Sequence, residues 1–201
     1  MALISVIVVA KILSVDDAPP LPRWGTGASY RLPDDFFAWP VKERRELVYR
    51  LAGRRKGQPG LMDEIRQTFS GGDPSFIPTL TAVVERDADV GVLRAALRGL
   101  TRCEDPATIP GLMRGLASDD FACCWHSIHG LQARLGARDA APGLIELLGR
   151  RRLRTKAAEA LVTIRDERAL QPLRVASKHG WPRSRRLLRE HAETLAKALG
   201  Y

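Results

Sequence analysis

From residue 40 onward, apolar positions recur at the three-to-four spacing of an amphipathic helix. Over 40–53, Val41, Leu47, Val48 and Leu51 share one side and Gly53 supplies a helix C-terminus. A second short helix is predicted over 61–69, ending at Gly71-Gly72. The chain then repeats itself. Asp73-Pro74-Ser75-Phe76-Ile77-Pro78-Thr79-Leu80 is matched by Asp105-Pro106-Ala107-Thr108-Ile109-Pro110-Gly111-Leu112, and again, more loosely, by the stretches ending at Leu144 and Leu173. These four leucines lie 32, 32 and 29 residues apart.

A period of that length is too long for one element. Each unit breaks midway, at 87–89, 118–120, 149–150 and 179–182, so each is read as two helices. Asp73 before Pro74 and Asp105 before Pro106 are helix-start signals: the carboxylate accepts an orphan N–H, and proline at the first helical position has none to leave unsatisfied. Second helices carry Leu97 and Leu100, Leu131 and Leu135, then Leu161 and Ile164. A single unit could not bury those faces, so the units must stack on a continuous core. The expected fold is all-α: an α-solenoid of stacked two-helix repeats near 73–104, 105–136, 137–165 and 166–200, with 40–72 read as a degenerate capping unit.

The first 39 residues follow another pattern. Met1 to Ala10 is apolar and holds the β-branched run Val6 to Val9, yet it lacks the basic start of a signal peptide and is half the roughly 20 residues of a membrane span. Between residues 18 and 40, Pro19, Pro20, Pro22, Pro33 and Pro40 exclude a regular helix. Trp24, Tyr30, Phe36, Phe37 and Trp39 make this irregular arm too aromatic for a bare linker, so it is expected to pack on the first helices.

The unit heads, together with second helices such as Lys156-Ala157-Ala158-Glu159-Ala160-Leu161, resemble HEAT-like repeats of the phycobilisome-lyase (PBS lyase) type, an armadillo-type fold. The resemblance is strongest over 154–164 and 166–173. It implies a helical-repeat scaffold and says little of chemistry, since such repeats serve as adaptors, as nucleic-acid binders and as accessory subunits of bilin lyases. The third unit departs from the pattern, with Ala137 where the head Asp stands.

Composition adds compartment and charge. Of 201 residues 45% are hydrophobic and 27% charged, a soluble folded profile, and three cysteines form no even framework, so a reducing, cytoplasmic setting is expected. The net charge is +9, yet residues 134–189 alone hold fifteen basic residues against five acids. That asymmetry attracts anionic partners. The basic patch comprises Arg150, Arg151, Arg152, Arg154, Lys156, Arg183, Arg185, Arg186 and Arg189. Aligning the second helices puts Arg94 level with Trp125, and Arg98 level with His129, so Arg94, Arg98, Arg102, Trp125 and His129 form a candidate partner-binding surface, expected on the concave face.

Cys123, Cys124, His126 and His129 lie close enough for two or three metal ligands, but no second cluster completes a site, and no phosphate loop or catalytic triad is recognisable. No catalytic residue, metal or cofactor is therefore assigned. The expected function is a non-catalytic interaction scaffold or adaptor for a protein partner, acidic in character. The alternatives are nucleic-acid binding through the basic C-terminal half and a role as accessory subunit of a bilin-lyase-like enzyme.

Overall fold

The computed structural model describes residues 30–52, 74–132, 134 and 137–201; the Val6 to Val9 run, Trp24, the helix expected over 61–69, Asp73 and Leu135 lie outside them. Among the described residues there are nine α-helices and no strand. They are α1 (Val41–Leu51), α2 (Ile77–Arg86), α3 (Val90–Arg102), α4 (Ile109–Leu116), α5 (Phe121–Gln132), α6 (Ala141–Leu147), α7 (Arg154–Ile164), α8 (Leu170–Ala176) and α9 (Pro182–Leu199). The fold is an all-α helical-repeat solenoid.

The helices form two layers. In one, α1, α3, α5, α7 and α9 contact one another in succession; in the other, α2, α4 and α6 do the same, and α6 meets the turn that leads into α8. Every second-layer helix also packs on its partner within the pair. The core lies between the layers, where Leu80, Leu112, Leu144 and Leu173 from the first helices of each pair meet Leu97, Leu100, Leu131, Leu161 and Ile164 from the second, all buried. Each such leucine contributes roughly 1.5–3 kcal/mol by leaving water. Close packing leaves little room: a Cβ on Gly115 of α4 would lie 2.6 Å from a Leu97 methyl of α3.

The expected Asp105 cap forms, and it opens a 3-10 turn rather than the α-helix itself; Asp166 makes the same cap. Asp105 accepts from the Ala107 N–H at 2.7 Å and Asp166 from the Arg168 N–H at 2.9 Å, each opening a three-residue 3-10 turn ahead of the helix. The α-helix follows, with Pro110 in its first turn in the second pair. Where Ala137 replaces the head Asp, the same turn forms over Arg138–Ala140 without a side-chain cap.

The arm packs as its aromatic content requires. Tyr30, Phe36 and Trp39 are buried, Phe36 sits edge-on to Phe37 with ring centroids 5.1 Å apart, and the Thr79 hydroxyl of α2 donates to the Tyr30 carbonyl. The Arg86 guanidinium lies 4.0 Å from the Phe37 ring centroid. Among the described residues no helix is long and apolar enough to cross a membrane.

Candidate functional site

Arginines fasten successive helix pairs at both ends of the layer formed by α1, α3, α5, α7 and α9. At the N-terminal ends the fasteners run forward. Arg44 of α1 reaches Asp87 at 2.6 Å, and Arg45 reaches Asp89, which caps α3 by accepting from the Val92 N–H. One pair further on, Arg94 of α3 donates twice to Asp120, at 2.9 and 2.5 Å, while Asp120 caps α5 through the Cys123 N–H. At the C-terminal ends they run backward. Arg102 donates to the Ala52 carbonyl at 2.7 Å, and buried Arg134 donates to the carbonyls of Gly130, Leu100 and Cys103, satisfying helix-end acceptors of both α3 and α5. Burial lowers the pKa of Arg134 from its usual value, an effect its acidic neighbours Glu104 and Asp105 oppose.

The Arg94 hydrogen bond holds the Asp120 carboxyl far below the usual carboxylate range, against the opposing effect of burial. Asp89 is likewise lowered: burial works against it, but the Val92 N–H and Arg45 outweigh that. On the other layer, Arg168 donates to Asp166 and to the Arg138 carbonyl, tying the fourth pair to the third and lowering the Asp166 pKa.

The residues expected to form an open stripe are therefore distributed differently. Arg94 and Arg102 hold neighbouring units together, Arg98 is half-buried, and only His129 of the stripe's outer positions is exposed without a fastening contact among those described. Trp125 is half-buried on α5, its ring 5.9 Å from that of exposed Phe121. It takes the place that Arg94 occupies on α3. Lys156 of α7 brings its ammonium within 5.9 Å of the Trp125 ring while pairing with Glu159 at 2.6 Å, so Trp125 and Lys156, expected in separate patches, adjoin.

The basic patch divides in two. Arg150 turns back to the Ser118 carbonyl at 2.6 Å and Asp119 at 3.3 Å, and Arg154 bridges the Leu148 and His179 carbonyls. These are fasteners. Arg151, Arg152, Arg183, Arg185 and Arg189 are exposed and make no ion pair among the described residues, and Arg186 has only a loose contact with Glu190 at 3.5 Å. Trp181, between the last two helices, is 69% exposed.

The thiols and imidazoles of α5 part company. Cys123 and Cys124 face the core, where burial pushes the Cys123 thiol up to about 11, and His129 faces out. Among the described residues no group of three or more His, Cys, Asp or Glu is placed to hold a metal ion. Sequence reasoning missed Arg44, Arg45, Arg134 and Arg168; the available signal was the aspartate in each of the first two mid-unit breaks, which needs a cation from the preceding unit.

Residues 153–179, spanning α7 and α8, match the family model described as PBS lyase HEAT-like repeat. No curated protein and no solved structure matches the chain.

Proposed function

We propose that this HEAT-like repeat protein is a non-catalytic adaptor that holds an acidic segment of a protein partner on its basic C-terminal half. A stack of helix pairs is a scaffold for protein interaction, and the chemistry of its surface decides what it takes. The observation that carries the reading is a contrast between the arginines at the starts of α1 and α3 and those around the starts of α7 and α9. Arg44, Arg45 and Arg94 are neutralised by Asp87, Asp89 and Asp120, whereas Arg151, Arg152, Arg183, Arg185 and Arg189 face solvent with no acid paired to them among the described residues. Exposed Arg beside an exposed Trp is the residue mixture that dominates interface energetics.

A titration with labelled oligoglutamate of about eight residues, at roughly 0.15 M salt, tests the reading. Saturable binding that weakens as salt rises is expected. Absence of binding, or tighter binding of a short random-sequence DNA duplex, would contradict it.

A further inference from the structure

The mid-unit turns 87–89, 118–120, 149–153 and 177–181 lie along one edge of the solenoid. Contacts between successive turns establish this: Arg94 at the start of α3 reaches Asp120 at the start of α5, Arg150 reaches back to the Ser118 carbonyl, and Arg154 reaches forward to the His179 carbonyl. The second helix of each pair begins at this edge, so four helix N-termini, each with partial positive charge, point the same way.

The two halves of the edge treat that charge oppositely. At α3 and α5 an aspartate, Asp89 or Asp120, caps the helix and an arginine from the preceding pair completes the balance. At α7 the cap position is Leu153 and at α9 it is Trp181, neither with a side-chain cap. Cations stand there instead: Arg151 and Arg152 ahead of α7, and Lys178, Arg183 and Arg185 around the start of α9, all exposed. No acid lies in the first turn of either helix. For an isolated helix this is the unfavourable arrangement, because cations belong at the C-terminal end.

Resting on the adaptor reading above, we infer that the edge formed by 149–153 and 177–186 is where the acidic segment docks, its carboxylates standing to α7 and α9 as Asp89 and Asp120 stand to α3 and α5. Packed helices are about 8–10 Å apart and an extended chain advances about 3.3 Å per residue, so about three residues step from one turn to the other. Trp181 offers such a segment an apolar contact at the same place. The edge favours a short acidic peptide over nucleic acid. A polyanion continuing along it would meet the fully exposed carboxylate of Asp119, which only Arg150 approaches, at 3.3 Å, whereas a short segment stops before it.

The test uses the full chain and labelled oligoglutamate of about eight residues. Arg151→Glu with Arg152→Glu, and separately Arg183→Glu with Arg185→Glu, should each weaken binding by at least about tenfold. Trp181→Asp would create an Asp-Pro cap at α9 like that of Asp105-Pro106, and should hold or raise the Tm while lowering affinity. Arg98→Ala with His129→Ala should leave binding unchanged. Loss of binding in that last variant with retention in the charge reversals would overturn the edge assignment and leave the adaptor reading standing. No oligoglutamate binding by the parent chain would overturn both. Displacement of the bound peptide by an equimolar short DNA duplex would overturn the preference for a protein partner.

Discussion

Arg94 and Asp120, 26 residues apart, meet through two hydrogen bonds of 2.9 and 2.5 Å, and the same Asp120 oxygen that takes the Arg94 Nε also caps α5. One carboxylate thus starts a helix and fastens it to the preceding unit. Asp120→Ala removes both roles and should cost about 1–2 kcal/mol in chemical denaturation. Asp120→Asn keeps a capping oxygen and should cost clearly less. Equal losses in the two variants would show that the ion pair, and not the cap, is what matters.

Acid stability follows from the lowered carboxylates. Asp120, Asp89 and Asp166 all titrate below their unfolded value, chiefly through Arg94 for Asp120 and Arg168 for Asp166, and through the Val92 N–H and Arg45 over the cost of burial for Asp89. A carboxyl held low in the folded state stabilises fully above its unfolded pKa of about 3.9, and that stabilisation is lost as pH falls toward the folded value. The Tm contributed by these groups should be level from pH 7 to about 5 and fall below about 4. Asp120→Asn should flatten the fall; an unchanged slope would remove Asp120 from the account.

Arg134 is buried with its guanidinium on three backbone carbonyls, so its loss would strand acceptors at the ends of α3 and α5. Arg134→Met, which keeps the apolar stem, should still cost about 2–4 kcal/mol. A loss below about 0.5 kcal/mol, the size typical of a surface change, would mean that water replaces it.

Periodicity reveals the layers because a solenoid core depends on local patterning: Leu80, Leu112, Leu144 and Leu173 recur in register, and all four are buried as expected. The head aspartates are visible too, though a 3-10 turn and an α-helix begin with the same residues, so the sequence does not separate them. The arginine fasteners are not local. Arg94 finds Asp120, and Arg102 finds the Ala52 carbonyl, across 26 and 50 residues, and an arginine that bridges two units has the same spelling as one that faces a partner. That is why a stripe of Arg94, Arg98 and Arg102 reads as an open surface while the structure uses its two ends internally. The basic half stands out in the sequence by count, but only the turn contacts place Arg151, Arg152, Arg183 and Arg185 at one edge.

Trp125, expected on the partner-binding surface, lies between core and surface. Its ring is half-buried and leans on Phe121, with Lys156 across the α5–α7 step. Trp125→Ala should cost about 1–2 kcal/mol in denaturant unfolding, below the roughly 3–5 kcal/mol of a fully buried aromatic. A larger loss would make it part of the core, and no measurable loss would make it a surface residue alone.

Hydrogen exchange of the full chain with and without bound oligoglutamate locates the docked segment. Slowed exchange is expected in the first turns of α7 and α9, at the amides around Thr155–Lys156 and Ser184–Arg185, with α3 and α5 unchanged because Asp89 and Asp120 already occupy their N-termini. Protection centred instead on the outer positions of α3 and α5, at Arg98 and His129, with none at α7 and α9, would contradict it.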